Sequence, residues 1–207
     1  MSAKPRIAGV VLAAGNSSRM GRPKQTLPFN GKTVLEAVVD TALRSSLDRV
    51  VVVLGHRAAE LSALLAGRNA GLITNADYLR GQSTSTKLGL QAVRDDVDAA
   101  LFLLADQPLV SLATIESLLE AYRQRQSPII QPVFEGRRGN PVLFGRETYA
   151  HFATLADDQG ARSLFEIFGE RVRQIDVPDP YIHFDIDTEA DYLLLQQLEE
   201  KFSQETR

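Results

Sequence analysis

The chain has 207 residues, of which 44% are hydrophobic and 24% are charged, a balance typical of folded globular proteins and not of disordered chains. Its 23 basic and 26 acidic side chains leave a formal charge of −3, which excludes a surface built throughout to coat nucleic acid. No cysteine is present, which excludes disulfides, thiolate metal sites and a cysteine nucleophile. No stretch reaches the roughly 18 apolar residues that cross a bilayer, so we expect no membrane partner either.

The N-terminus resembles the start of a secretory signal, because Lys4 and Arg6 precede the apolar run 7–14. This run is short, however, and it leads directly into a glycine-containing basic loop instead of a spacer and cleavage site. We therefore expect a cytoplasmic protein. The alternative is a periplasmic binding protein, which requires that the run be cleaved off.

Buried strands and amphipathic helices alternate through the first 124 residues. Continuous apolar runs predict strands at 7–14, 49–55, 70–74 and 99–105. Apolar residues at helical spacing predict a helix after each strand, the first beginning near Thr33 and the fourth capped by Ser111. The helical stripes are Leu35, Val38, Val39 and Ala42; Leu61, Leu64 and Leu65; Leu88, Ala92 and Val93; and Ile115, Leu118, Leu119 and Tyr122. This order indicates an α/β protein with a mainly parallel sheet and right-handed crossovers.

The pattern changes after Pro128. Apolar runs at 129–134 and 141–144 flank the polar segment 135–139, which predicts a hairpin or loop and one antiparallel strand pair within the sheet. A helix is predicted around 146–155, then a loop at 156–160 and a short helix. The last helix is predicted to begin at Thr188, three residues before Asp191, and to bury four apolar side chains. These four are Leu194, Leu195, Leu198 and Phe202. Without repeats or linkers, the chain is expected to form a single domain, 1–207.

Positive charge is concentrated at the start of the chain, where six basic residues and no acidic one precede Glu36. Arg19, Arg22 and Lys24 lie in the glycine-containing loop 15–24 that follows the first strand, and Lys32 lies shortly after this loop. A glycine turn with cations at that place in an α/β fold is suited to phosphate groups. Spacing excludes a P-loop and a dinucleotide fingerprint, because five residues separate Gly15 from Gly21 and Arg22 follows. The alternative is a solvated basic turn.

Two acids at predicted strand or loop ends are candidate metal ligands. Asp106 ends the apolar strand 99–105, and ligands of open α/β sheets lie beyond the carboxyl ends of strands. Asp187 is not needed to cap the last helix, because Thr188 serves that purpose. Two carboxylates together with phosphate oxygens fit Mg²⁺. The alternatives are a turn residue for Asp106 and a solvated loop acid for Asp185 or Asp187.

A polar cluster, 81–86, precedes the third helix and offers hydroxyls, an amide and free N–H groups. Part of it is explained by an N-cap alone. His56, His151 and His183 lack the spacing of metal ligands, and we expect them to be structural or surface residues. No serine hydrolase motif is present.

The segments 12–15 (LAAG), 18–21 (SRMG) and Lys24 resemble the signature loop of nucleotidyltransferases that activate sugars, isoprenoid precursors and cofactors. The further segments are 81–85 (GQSTS), 104–108 (LADQP), 138–141 (RGNP), 158–162 (DQGAR) and 185–188 (DIDT). Together they resemble the molybdenum cofactor cytidylyltransferases and their close relatives, over nearly the whole chain. The Ala-Ala-Gly of the first loop is more similar to the CTP users than to the guanylyltransferases.

The resemblance implies a Rossmann-like three-layer fold that transfers CMP from CTP to the phosphate of molybdopterin and releases pyrophosphate with Mg²⁺. It implies a nucleotide-binding part, about 1–110, and an acceptor-binding part, about 111–207. The implied nucleotide-binding residues are Leu12, Ala13, Ala14, Gly15, Arg19, Lys24, Gly81, Gln82 and Ser83. The implied acceptor-binding residues are Asn140, Gly160, Ala161 and Arg162. Asp106 and Asp187 would hold the metal, and Arg19, Lys24 and Asp106 would be catalytic. A molybdoenzyme that receives the product is an implied protein partner.

Two alternatives share some of these features. A guanylyltransferase or sugar-phosphate nucleotidyltransferase would keep the loop and the metal site and differ in nucleotide and acceptor. A non-catalytic cofactor carrier or insertion partner would bind the pterin without turnover and could dispense with Asp106 and Asp187. The function implied by the resemblance requires one arrangement: the basic glycine turn and the two acids should meet across one crevice.

Overall fold

The computed structural model describes residues 4–15, 20–155 and 161–205, with only the backbone described for 201–205. The strands are β1 Ile7–Ala13, β2 Pro28–Phe29, β3 Lys32–Thr33, β4 Arg49–Leu54, β5 Gly71–Thr74, β6 Ala99–Leu104, β7 Ile129–Phe134, β8 Arg137–Arg138, β9 Val142–Gly145 and β10 Val172–Asp176. The α-helices are α1 Val34–Arg44, α2 Ala58–Leu64, α3 Gln82–Gln91, α4 Leu112–Gln124, α5 Arg162–Phe168 and α6 Glu189–Glu205. Five 3₁₀ segments, Lys24–Thr26, Tyr78–Arg80, Arg146–Thr154, Gly169–Arg171 and Pro180–His183, connect them. Across these ranges, no helix combines the length and the hydropathy required to cross a membrane.

The central sheet has eight strands in the order β10-β7-β9-β6-β1-β4-β5, with β8 paired to β7. Strand β1 pairs in parallel with β4 and β6, β4 with β5, and β7 with β10. Strand β9 is antiparallel to both of its neighbours, β6 and β7. The predicted α/β fold with a mostly parallel sheet and an antiparallel insertion is confirmed. Strands from both sides of residue 110 share this sheet, and the division into nucleotide and acceptor parts stays a prediction.

The predicted antiparallel pair of 129–134 and 141–144 is formed by β7 and β9, and the polar segment between them adds the short strand β8, which makes a tight hairpin with β7. Glu135 and Gly136 connect them, and both have positive φ, +50° and +75°, as a two-residue type I′ turn requires. The other predicted strand became β9, which lies between β7 and β6. This strand therefore joins two parallel parts of the sheet instead of serving only as a hairpin arm.

Helices cover both faces of the sheet and explain its continuous apolar strands. In β1, Ile7 and Val11 pack on the side of α1 and α4, whereas Ala8 and Val10 pack on the side of α3, α5 and the segment Arg146–Thr154. Because side chains alternate along a strand, burial of both faces requires consecutive apolar residues. The result is the three-layer, Rossmann-like arrangement expected from the sequence.

Three helix starts are fixed by local hydrogen bonds that the sequence predicted. Thr33 accepts from the Glu36 N–H while the Glu36 carboxylate accepts from the Thr33 N–H, which is a capping box. The hydroxyl of Ser111 accepts from the Thr114 N–H. Thr188 and Asp191 bond reciprocally at the start of α6.

The structure corrects the sequence analysis at three places. Leu194 is exposed and Leu198 is only partly buried, because α6 packs along a narrower stripe through Tyr192 and Leu195; the Phe202 side chain lies outside the described residues. The segment predicted as a helix around 146–155 is a 3₁₀ helix. Strand β10 was not predicted, because its sequence VRQID lacks an apolar run and forms an edge of the sheet.

We expect Gly89→Ala to lower the free energy of unfolding by about 1–3 kcal/mol, because overpacked cores must shift to accommodate an added methyl. A Cβ at residue 89 would overlap Val10 Cγ1 and lie 3.0 Å from Val53 Cγ2, where α3 meets the sheet. Urea unfolding measures the effect. The double variant with Val10→Ala should recover part of the loss, and simple additivity of the two losses would contradict the packing explanation.

Candidate functional site

The carboxyl ends of β1 and β6 bring the glycine turn and Asp106 together. The two strands are parallel and in register, with Leu12 opposite Leu104, so the residues that follow them emerge side by side. The Ala105 N–H continues this pairing by donating to the Leu12 carbonyl at 3.1 Å. Parallel strands thus deliver two segments that are about 90 residues apart in sequence to one edge of the sheet.

A cleft of about 450 Å³ opens at this edge. Its lining residues are Leu12, Ala14, Gly15, Lys24, Gln25, Tyr78, Leu79, Gly81, Gln82, Ser85, Leu104, Ala105 and Asp106. Most of the residues predicted to bind nucleotide are among them. Ala13 and Ser83 are buried and do not line the cleft. Arg19 lies outside the described residues, so its predicted role is untested.

Lys24 lies between the two predicted metal ligands. Its Nζ is 2.5 Å from Asp106 Oδ2 and 3.0 Å from Asp187 Oδ1, although Asp187 is 163 residues away in sequence. Burial works to lower the pKa of the Lys24 ammonium, but the two carboxylates outweigh it and raise this pKa above its ordinary value. Lys24 is therefore a cation at neutral pH, and both acids share it.

Asp106 and Asp187 converge on one cation, although Asp187 is not among the residues that line the cleft, and their role as metal ligands stays a prediction. Within the described ranges, no set of three or more histidine or acidic side chains is arranged to hold a metal ion.

The three histidines lie apart from one another. His56 is beside Tyr78, His151 is beside Phe168, and His183 contacts the Arg137 carbonyl. The expectation that they are structural or surface residues agrees with these contacts.

Two cations of the N-terminal segment, Arg22 and Lys32, pair with acidic side chains and do not line the cleft. Arg22 forms two bonds to the Glu189 carboxylate, at 2.6 and 2.8 Å, and stacks over the Tyr192 ring. Lys32 pairs with Asp40 on α1. The charge count of the sequence thus overstated the number of cations at the cleft, because it carried no information on distant acidic partners.

Polar residues that the sequence analysis missed support the walls of the cleft. Gln25 is 3% exposed, and its amide donates to the Gly15 carbonyl at 3.2 Å, which helps to fix the turn. Asn75 is buried and donates to the hydroxyls of Thr84 and Ser85, which fixes the start of α3. Ser85, not Ser83, reaches the cleft. The burial of Gln25 depends on the tertiary structure, so the sequence alone offered no signal for it.

The loop after β6 is joined to the segment before α6. The Ile186 N–H donates to the Asp106 carbonyl at 3.1 Å, and Gln107 Nε2 donates to the Asp185 carboxylate. Burial, together with the charges of Asp106 and Asp187, raises the pKa of Asp185 despite the Gln107 donor. Asp185 is therefore an exposed loop acid that is joined to Gln107 by a hydrogen bond.

The residues predicted to bind the acceptor do not line the cleft described above. Asn140 directly precedes Pro141, and its N–H donates to the Ile182 carbonyl at 3.0 Å. Because Val142 pairs with Phe102, Asn140 lies at the end of β6 that leads to Asp106. Ala161 packs against the sheet and Arg162 begins α5 at the surface; Gly160 lies outside the described residues.

Three curated proteins show the range of similarity. The chain is 32% identical to nicotine blue oxidoreductase of Paenarthrobacter nicotinovorans, over 92% of this chain and 97% of that protein. It is 28% identical to the molybdenum cofactor cytidylyltransferase of Escherichia coli K12, over 91% and 94% respectively. It is 31% identical to the purine catabolism protein PucB of Bacillus subtilis 168, over 78% and 82%.

Solved structures agree with the fold. Rv0371c of Mycobacterium tuberculosis H37Rv superposes with a TM-score of 0.84 at 30% identity, over 94% of this chain and 100% of that one. A nucleotidyl transferase from Methanothermobacter thermautotroptrophicus gives 0.82 at 28%, over 95% and 99%. The family profile of the MobA-like NTP transferase domain matches residues 9–175. The chain therefore belongs to the MobA-like NTP transferase family and is a nucleotidyltransferase.

Proposed function

We propose that this nucleotidyltransferase transfers CMP from CTP to the phosphate of molybdopterin and releases pyrophosphate. The observation that carries the proposal is the position of Lys24 between Asp106 and Asp187, in a cleft that Ala14 and Gly15 also line. The match to the Escherichia coli molybdenum cofactor cytidylyltransferase over 94% of its length supports this choice of substrates. We also propose that the protein acts in the cytoplasm and that a molybdoenzyme receives the product.

A divalent metal fits the two acids. Asp106 and Asp187 already direct one oxygen each at a single cation, the Lys24 ammonium, and carboxylate oxygens are the ligands that Mg²⁺ prefers. Rv0371C of Mycobacterium tuberculosis, solved in complex with manganese, has a TM-score of 0.80 and 30% identity to this chain. We propose that Mg²⁺ is held here, where it would neutralise charge on the phosphate oxygens.

The protein's own residues would act by positioning and by electrostatics. The acceptor phosphate oxygen attacks the α-phosphorus of CTP in line, the bond to the β-phosphate breaks, and pyrophosphate leaves. Lys24, with Arg19, would stabilise the negative charge of the triphosphate and of the leaving group. The backbone at Leu12, Ala13, Ala14 and Gly15, where β1 ends and the glycine turn begins, would approach the nucleotide.

The remaining proposed contacts divide between the nucleotide and the acceptor. Gly81 and Gln82 line the cleft and would face the base and the ribose, whereas Ser83, which the resemblance grouped with them, is buried and does not line it. Asn140, Gly160, Ala161 and Arg162 would bind the acceptor. Of the three that the structure describes, Asn140 is the best placed, because it lies at the same end of β6 as Asp106.

A second candidate is a nucleotidyltransferase with another nucleotide or another phosphorylated acceptor. Two relatives at 32% and 31% identity are named for nicotine blue and for purine catabolism, so similarity of this degree extends to proteins with other names. A non-catalytic carrier is disfavoured, because such a protein would not need two acids that share one partly buried lysine.

Thermal stabilisation by nucleotides tests the proposal. With Mg²⁺ and each nucleotide at equal concentration, CTP should raise the melting temperature more than GTP, ATP or UTP. A ligand at one hundred times its Kd adds about 2.7 kcal/mol, which corresponds to roughly 5–10 °C for a chain of this size. Mass spectrometry should then detect the CMP adduct of molybdopterin. A larger shift with GTP, or no adduct with CTP, would contradict the assignment.

A further inference from the structure

Two hydrogen bonds join the segments that carry Asp106 and Asp187. The Ile186 N–H donates to the Asp106 carbonyl at 3.1 Å, and the Gln107 side chain donates to the Asp185 carboxylate 78 residues away. Ile186, which precedes Asp187, bonds to Asp106 itself, and Gln107, which follows Asp106, bonds to Asp185. The separation of the two carboxylates therefore depends on these bonds as well as on Lys24.

Gln107 is buried. The residue is 4% exposed and lies among Leu103, Val110 and Pro141. Its Oε1 is buried and finds no hydrogen-bond partner among the described residues, whereas Nε2 bonds to Asp185. Burying an amide oxygen without a partner costs free energy that an apolar side chain of similar size would avoid. Packing stability alone does not explain this residue, whereas its bond to Asp185 does.

Asp185 lies beside the two proposed metal ligands without joining them. The described part of the chain contains no three-acid group arranged for a metal, so Asp185 does not converge with Asp106 and Asp187. Its carboxylate accepts from Gln107 instead. This arrangement is that of an outer residue which orients ligands through hydrogen bonds, and such residues typically contribute about 10–100-fold to metal affinity or activity.

We propose that Gln107 and Asp185 are positioning residues that set the spacing of the Asp106 and Asp187 carboxylates for a divalent metal. The proposal rests on the function proposed above, because it takes these two acids as the metal ligands. Mg²⁺ requires oxygens at 2.0–2.1 Å in near-octahedral geometry, so a small displacement of one carboxylate weakens its binding. Positioning of this kind needs a hydrogen-bond acceptor at residue 185 but not a negative charge.

The test compares two substitutions at residue 185 by direct Mn²⁺ binding, measured from the electron paramagnetic resonance signal of the free ion. Asp185→Ala should weaken Mn²⁺ binding by about 10–100-fold. Asp185→Asn should stay within about threefold of the wild type, because its amide oxygen still accepts from Gln107. In CMP transfer, D185A should raise the KM for Mg²⁺ while kcat recovers at high metal. Equal losses in the two variants would make Asp185 a metal ligand, and unchanged binding in D185A would also overturn the proposal.

Two further variants separate positioning from general loosening. Gln107→Ala combined with Asp185→Ala should bind Mn²⁺ no more weakly than either single variant, since one bond is lost in all three; additive losses would overturn the proposal. Asp179→Asn is the control, because Asp179 joins the same C-terminal segment to α4 by accepting from Ser111 and Thr114. D179N should lower the melting temperature and leave Mn²⁺ affinity unchanged. An equal affinity loss in D179N would overturn the positioning role.

The same measurements distinguish failure of the proposed metal site. If Asp106→Ala binds Mn²⁺ as tightly as the wild type, Asp106 is not a metal ligand, and both the metal site and its positioning residues are overturned. If D106A loses Mn²⁺ but D185A does not, the metal site stands and only the positioning proposal is overturned.

Discussion

Replacing Asp106 by alanine should reduce the kcat of pyrophosphate release by about 10²–10³-fold, the range found when one preorganised electrostatic group is removed from an active site. The variant loses a proposed metal ligand and the nearer of the two carboxylates that contact Lys24. Its fold should persist, because Asp106 follows β6 at the edge of the sheet and contributes no side chain to the hydrophobic core. Steady-state assays with Mg²⁺ and CTP, together with circular dichroism, measure both effects.

The control for Asp106→Ala is Asp40→Ala. Asp40 is a partly buried acid on α1 that pairs with Lys32 and Arg68 and does not line the nucleotide cleft. D40A loses two ion pairs and should keep near-normal turnover with a modest loss of stability. If D106A retained the rate of the wild type, Asp106 would have no place in the mechanism. If D40A lost as much activity as D106A, the effect would reflect folding.

Replacing Lys24 by methionine should raise the KM for CTP and lower kcat, with a combined loss in kcat/KM of about 10²-fold or more. Methionine keeps much of the length and apolar character of the side chain but removes the charge proposed to stabilise the triphosphate. It also leaves Asp106 and Asp187 close to each other without their shared cation.

This loss of charge has a measurable consequence for metal binding. In the wild type, a divalent ion must compete with the Lys24 ammonium for the two carboxylates. Mg²⁺ should therefore raise the melting temperature of K24M more than that of the wild type. The control is Lys32→Met, because Lys32 belongs to the same N-terminal segment but pairs with Asp40. Unchanged kinetic constants in K24M would show that Lys24 does not bind the nucleotide.

The local features of the sequence predicted most of the fold. Continuous apolar runs marked β1, β4, β6 and β7, because strands covered on both faces need apolar residues in succession. Thr33, Ser111 and Thr188 marked helix starts, because an N-cap acts within three residues of itself. Strand β10 was missed because it lies at the edge of the sheet, and its largely polar sequence has no continuous apolar run that would mark a buried strand.

The candidate site was predicted only in part. Asp106 and Lys24 could be found because each lies at a recognisable place, the end of a buried strand and a glycine turn after one. The pairing of Arg22 with Glu189 could not be found, because the two residues are 167 positions apart and neither has a distinctive neighbourhood. The bond between Gln107 and Asp185 was missed likewise, as was the support of Gly15 by Gln25.

The sequence by itself determined the order of strands and helices, the caps, and the types of side chain at the strand ends, because burial periodicity and capping are short-range effects. Only the tertiary structure decided which charges meet. It placed Lys24 between Asp106 and Asp187, withdrew Arg22 and Lys32 from the cleft, and bonded Asp185 to Gln107. Such contacts depend on strand register and helix packing across many residues, since an ion pair requires proximity and a linear sequence contains no distances.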